Sequence, residues 1–415
     1  MRPFLKISIY VISFFISSQI IFAQDDYFKL SNRRKAVVIP FKFINKSIII
    51  PLTINESDTL YFMLDTGLKN TLITELHSED SIELNHTTKE TIVGLGGAGR
   101  LSVYTSFDNT VKLKGIEGYN QRMNFIEEDI FQLSQLSGHK INGIIGYDLL
   151  KHFILKIDYS KRKLTFYNPK YYNKRLRSYS HFPMEIMAGK PYIHTDIITP
   201  NNKKEKLKLL IDTGAGLPLW LMDNNNIQIS KPDTTVYSYI GQGLSGQIYG
   251  EYGRIPKLLL NNIALHNVMT AFPNADDVRG ANSEGRNGTI GSEVLRRFYV
   301  ILNYPKKKLS LKPNKSFKDP FYFNQSGVDF YQPDLTIPLY SVYNIRSNSP
   351  AEKAGLKVND VIIKINKKNA LKMSLQEVIR TFEKIEISKN KKVNLFINRK
   401  DSMINIEYQL PQKSL

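Results

Sequence analysis

The sequence predicts a mainly β protein in which one lobe occurs twice and a smaller α+β domain follows. Three observations predict it. A segment about as long as a small domain recurs in order, β-branched and aromatic runs are punctuated by glycine, and the composition changes after residue 312 with no third copy beyond.

The repeat rests on three landmarks. Leu60-Tyr-Phe-Met-Leu-Asp65-Thr66-Gly67 matches Leu207-Lys-Leu-Leu-Ile-Asp212-Thr213-Gly214, an offset of 212 − 65 = 147. Gly94-Leu-Gly96-Gly97-Ala-Gly99 matches Gly241-Gln-Gly243-Leu-Ser-Gly246, an offset of 241 − 94 = 147. Gly143-Ile-Ile-Gly146 through Phe153 matches Gly288-Thr-Ile-Gly291 through Phe298, an offset of 288 − 143 = 145. Nearly constant spacing over three separated landmarks marks a duplicated unit. The chain therefore divides into an export signal (1–23), a first lobe (24–172), a second lobe (173–315), and a linker with a final domain (316–415).

Local pattern fills in the elements. Val37 to Phe43 and Ile48 to Ile54 flank a turn at Asn45-Lys46 and are expected to form a hairpin. Apolar residues at helical spacing predict one short helix per lobe, Tyr147 to Phe153 and Ser292 to Phe298. Lys312 to Pro320 reads as a connector. Beyond it, Ser349-Pro350 starts a helix that Gly355 stops, and Val361 to Ile365 is a strand. Ser374-Leu-Gln-Glu377 is a capping box opening a helix with Leu375, Val378, Ile379 and Phe382 on one face. Strands near Val393 to Asn398 and Met403 to Tyr408 flank a turn at Lys400-Asp401.

Composition removes several functional classes. With 415 residues, 42% apolar and 23% charged, the chain has enough burial for two to four folded units and resembles neither a disordered nor a multi-span membrane protein. The absence of cysteine excludes disulfides, thiol catalysis and cysteine-held zinc. Arg2 and Lys6 precede an apolar stretch from Ile7 to Phe22 and then Ala23, the pattern of a secretory signal. Cleavage after Ala23 and a periplasmic or extracellular location are expected. An uncleaved anchor is the weaker alternative, because Ser17, Ser18 and Gln19 interrupt a stretch barely long enough to span a bilayer. The net charge of +19 is spread along the chain in groups such as Lys306-Lys307-Lys308, so no nucleic-acid partner is expected.

The chemistry points to the two aspartates. Asp65 and Asp212 each follow an apolar strand on a loop where Gly67 or Gly214 permits close backbone approach. In a duplicated chain two such loops can face each other across a pseudo-two-fold axis. Like carboxylates about 3 Å apart cannot both ionise, so they share a proton. Such a pair can activate water, with one carboxylate as base and its protonated partner polarising a carbonyl and then protonating a leaving amine. No metal or cofactor enters that chemistry.

At these residues the chain resembles the retropepsin-like aspartic proteases over residues 35–315. The resemblance implies duplicated lobes forming a bilobal pseudo-dimer, with Asp65 and Asp212 catalytic. It also implies catalytic-loop support from Thr66, Gly67, Thr213 and Gly214, the threonines cross-bracing the lobes. Ile144-Ile145-Gly146 and Thr289-Ile290-Gly291 resemble the segment behind each loop, Thr289 being a mild departure. The family places Ser, Thr or Ala after the loop glycine. Ala215 conforms and Leu68 does not, which puts the hydrogen bonding around Asp65 in question.

Both glycine clusters satisfy G-x-G-x-x-G, yet Leu101 to Tyr104 and Gln247 to Tyr249 that follow look extended, which rejects a dinucleotide site. Gly96, Gly97, Gly243 and Ser245 are instead candidates for flaps over a cleft, with plain solvent-exposed turns as the other reading. Tyr104 and Tyr249 suit either a cleft wall or core. The seven histidines form no H-x-x-x-H pair, and Gly243-Leu-Ser-Gly246 falls one residue short of the serine-hydrolase elbow.

Ser349-Pro-Ala-Glu-Lys-Ala-Gly355-Leu followed by Asn359-Asp360-Val-Ile resembles a bacterial PDZ module. Asn359 replaces its usual glycine and also accepts left-handed backbone angles. Gly327-Val328-Asp329-Phe330 resembles the carboxylate-capturing loop of such modules, which makes Gly327, Val328 and Phe330 peptide-binding candidates; a domain used only for packing is the other reading. The resemblances together imply a monomeric exported endopeptidase acting on peptide or protein substrates, with a C-terminal peptide as PDZ ligand. Two alternatives remain, a non-catalytic exported peptide-binding protein and a homodimer in which each lobe pairs with its copy in another chain.

Overall fold

A six-stranded antiparallel sheet joins the two lobes. In the computed structural model, which describes residues 26–93, 100–224, 227–244, 246–279, 285–412 and 415, its order is Ser180–Pro183, Lys308–Pro313, Phe298–Asn303, Ile154–Asp158, Lys163–Tyr167 and Ala36–Pro40. Three strands come from each half of the chain. At the seam Ile157 lies opposite Val300 and Leu155 opposite Leu302, and all four side chains are buried. Separating the lobes would expose this apolar seam, so hydrophobic burial holds them together. The expected export segment, residues 1–23, lies outside the described residues.

The predicted hairpin from Val37 to Ile54 needs correction. Ala36–Pro40 leaves for the inter-lobe sheet, where it pairs with Lys163–Tyr167, and only Lys42–Ile44 pairs with Ser47–Ile54. The division falls at Phe41, whose N–H goes to the Arg162 carbonyl at 3.0 Å. Val37 and Ile39 bury their side chains in the joining sheet, and the apolar run gave no sign that it served two sheets. Asn45 and Lys46 form the turn as expected, both with positive φ.

Each lobe has its own larger sheet. In the first, Leu60–Leu64 runs parallel to Gly143–Ile145, which pairs antiparallel with Thr71–Ile73 on its other side. In the second, Lys204–Ile211 is parallel to Gly288–Ile290, which Leu219–Leu221 flanks. The loop after each first strand therefore straddles the middle strand. The helices that follow, Tyr147–Leu150 and Ser292–Leu295, are shorter than predicted.

The last domain is a six-stranded sheet with helices Pro350–Lys353 and Leu375–Ile387. Its core includes Val342, Ile362, Ile365, Val378, Val393, Leu395 and Ile397. Ser349 caps the first helix with Pro350 at its opening position, and Ser374 and Glu377 form the expected capping box. Asn359 has φ +70°, the backbone state its side chain tolerates.

Candidate active site

Apolar strands deliver Asp65 and Asp212 to one place. Leu64 and Ile211 are fully buried, and the aspartate after each is partly exposed at the lobe boundary. The Asp65 N–H bonds the Ile145 carbonyl at 2.9 Å, and the Asp212 N–H bonds that of Ile290 at 3.0 Å. Gly146 and Gly291 let the loops sit this close. A Cβ on Gly146 would lie 2.3 Å from the Leu68 carbonyl oxygen, and one on Gly291 would lie 2.0 Å from that of Leu217. No side chain fits in either gap.

The two loops interlock. Thr66 donates its hydroxyl to the Ile211 carbonyl at 2.6 Å and accepts the Thr213 N–H at 3.0 Å. Thr213 reciprocates, donating to the Leu64 carbonyl at 2.8 Å and accepting the Thr66 N–H at 3.1 Å. Both threonines are fully buried, so these four cross-lobe bonds are shielded from water.

Above this brace the carboxyl groups meet. A Cβ on Gly67 would lie 2.9 Å from Asp212 Oδ2 and 3.1 Å from Asp65 Oδ1, while one on Gly214 would lie 2.4 Å from Asp65 Cγ. Each loop glycine therefore abuts the carboxyl group of the other lobe. The Asp212 carboxyl is near enough for its charge to act on Asp65, and two like carboxyl groups at such range favour holding a proton over ionising together.

The amide environment is unequal. Asp212 Oδ1 accepts the N–H groups of Gly214 at 2.8 Å and Ala215 at 3.0 Å. Asp65 Oδ1 accepts that of Gly67 at 2.6 Å, whereas the Leu68 N–H points to the Asp65 main-chain oxygen at 3.4 Å. Burial first, and then the neighbouring Asp212 carboxylate, hold the Asp65 carboxyl well above its ordinary 3.8.

A raised acid makes the folded state hold its proton more tightly than the unfolded chain does. That stabilisation is complete below 3.8 and is lost as pH rises through the elevated folded value. Thermal unfolding across pH should therefore show the wild-type midpoint falling, relative to Asp65→Asn, as pH climbs above 3.8. A midpoint difference that stays constant over that range would contradict the assignment.

Leu68 packs against two first-lobe clusters, one containing Met63 and Ile144, the other Leu72, Val103, Ile126 and Phe131. Leu244, at the tip of the second-lobe hairpin, packs against the latter cluster as well. The second-lobe hairpin thus touches the opposite lobe beside the Asp65 loop. Of the flap candidates, Gly243 is buried at the end of strand Val236–Gly243 and pairs with Gly246; Gly96, Gly97 and Ser245 lie outside the described residues. Sequence reasoning passed over Leu244, although an apolar residue at a glycine-rich tip was a usable signal. Tyr104 stacks on Phe125 at 5.2 Å and Tyr249 on Tyr237 at 6.3 Å.

In the last domain, Gly327 has φ +75° and donates its N–H to Asn324 Oδ1 at 2.9 Å. Val328 and Phe330 point into the core.

These features define a two-lobed, mainly β fold with paired Asp-Thr-Gly loops. Comparison with family models finds an aspartyl protease domain over residues 50–149, the span that carries Asp65 and Gly146, and a PDZ domain over residues 341–399 at the C-terminus. No curated protein matches the chain. The chain is a mainly β protein with aspartyl protease and PDZ domains.

Proposed function

We propose that the chain is an exported, single-chain aspartic endopeptidase in which Asp65 and Asp212 activate water against a peptide bond. One observation carries the reading: two carboxyl groups from different lobes are brought together on interlocked loops. The resting proton belongs on Asp65, because Asp212 has two amide donors to stabilise its negative charge.

In the reaction Asp212 takes a proton from water as the water oxygen bonds to the substrate carbonyl carbon, and Asp65 passes its proton to the carbonyl oxygen. The tetrahedral diol then collapses. The proton on Asp212 goes to the leaving nitrogen, the C–N bond breaks, and one diol hydroxyl returns its proton to Asp65 as the carboxylic acid forms. The same arrangement serves periplasmic or extracellular substrates after loss of residues 1–23, with the PDZ domain recruiting peptides or regulating the cleft in a monomeric chain.

A second reading has one observation in its favour. With Leu68 turned to the clusters, Asp65 keeps one amide donor, which suits a cleft that holds peptides without hydrolysing them. Purified residues 24–415, incubated with a mixed peptide library in the presence of a metal chelator, separate the two. Endopeptidase action predicts internal cleavage products detectable by mass spectrometry; an intact library would leave the binding reading.

A further inference from the structure

The C-terminal domain contacts both lobes, and its first-lobe contacts fall on the groove by which such a domain takes a peptide. Strand Val328–Tyr331 ends its sheet, so its outer edge pairs with no strand among the described residues. Helix Leu375–Ile387 faces it, with the Phe330 and Phe382 rings 4.8 Å apart. A peptide adding to that edge would lie between them, its terminal carboxylate held by the loop before the strand.

That loop already holds a carboxylate. Glu386 accepts the Gln325 N–H at 2.7 Å, and the Gly327 N–H goes to Asn324. Glu386 is 7% exposed and lies on the helix stripe of Leu375, Ile379 and Phe382. The group a peptide end would present is thus supplied by the domain's own helix.

The far end is filled by the first lobe. Gln332, just past the strand, donates its N–H to the Gln135 carbonyl in helix Leu133–Ser137 at 2.9 Å. A Cβ on Gly138 would lie 2.9 Å from Leu375 Cβ and 3.0 Å from Gln332 Oε1. Asn45, in the first-lobe turn, donates its N–H to Gln376 Oε1 at 3.1 Å. Leu375, which would line an open groove, is 1% exposed.

We propose that the peptide groove of the PDZ domain is occupied from within the chain, by Glu386 at its carboxylate-holding loop and by Gln135 to Gly138 of the first lobe at its far end. The domain is thereby a clamp rather than a receptor for free C-termini. The clamp extends to the second lobe, where the Arg254 guanidinium donates to the Leu415 main-chain oxygen.

The chain has no cysteine, so a Gln135→Cys/Gln332→Cys pair reports docking without background. Placing it in an Asp65→Asn chain makes the readout independent of hydrolysis. Mild oxidation is expected to link the first lobe to the PDZ domain in most molecules, seen by non-reducing electrophoresis and as a linked peptide by mass spectrometry. In parallel, fluorescence anisotropy is read with a labelled peptide pool randomised in its last four residues, ending in a free carboxylate or an amide. The unopened chain should not discriminate between the two ends. Glu386→Ala/Gly138→Arg should gain carboxylate-dependent binding by at least about tenfold, the factor carried by one charge-assisted hydrogen bond. The idea is overturned if the cross-link does not form, or if the unopened chain binds the free-carboxylate pool and ignores the amidated one. Both readouts stand whether or not the opened variant folds.

Discussion

Asp65→Asn and Asp212→Asn are each expected to lower kcat/KM for peptide cleavage by about 10²–10⁴-fold, the range a positioned general acid or base contributes. The two carboxyl groups are brought together on the paired loops and the Asp212 charge acts on Asp65, so neither can be replaced without disabling the other. An amide has the shape of the acid but can neither accept the water proton nor relay it. The same changes should leave the fold intact, because asparagine oxygen can still accept the amide bond from Gly67 or Gly214. Similar losses in the two variants follow from a dyad acting as a unit. Unchanged cleavage in both would remove the aspartyl mechanism while leaving the fold untouched.

Thr66→Val is expected to destabilise the chain by about 2–6 kcal/mol, since two buried backbone groups lose their partner at once and each costs about 1–3 kcal/mol when left unsatisfied. Those groups are the Ile211 carbonyl and the Thr213 N–H, bonded to the Thr66 hydroxyl at 2.6 Å and 3.0 Å. Valine matches threonine in shape, so packing alone predicts a small change. Thr66→Ser restores the hydroxyl and should recover most of the loss. Thr66→Val combined with Thr213→Val should be non-additive, because the hydroxyls belong to one network. Urea unfolding of these three variants and of Thr213→Val alone measures the effect, and a Thr66→Val chain as stable as wild type would contradict the brace.

Much of this site was legible in the sequence because duplication writes it twice. Asp65-Thr66-Gly67 and Asp212-Thr213-Gly214 at constant offset announce two equivalent loops, and Gly146 and Gly291 announce the close approach behind them. Asn359 and the Ser374 capping box were readable because local backbone chemistry fixes them. What escaped depends on distant partners. Nothing near Phe41 indicates that the strand before it belongs to another sheet, since its partner strand, Lys163–Tyr167, arrives much later in the chain. Leu68 read as a departure from the family pattern, whereas its side chain fills an apolar seat shared with Leu244 of the other lobe. Glu386 looks like any polar helix residue until the Gln325 amide is placed against it.

Whether one chain builds one shared-proton dyad is decided by calorimetric titration of residues 24–415 with a statine-type peptide, whose hydroxyl takes the place of a tetrahedral-intermediate oxygen. Paired carboxyls predict one molecule bound per chain, with affinity falling at least about 10²-fold in Asp65→Asn and again in Asp212→Asn, as for a transition-state mimic losing the groups it imitates binding to. One molecule per two chains, or undiminished affinity in either variant, would show that these two side chains do not work as a pair.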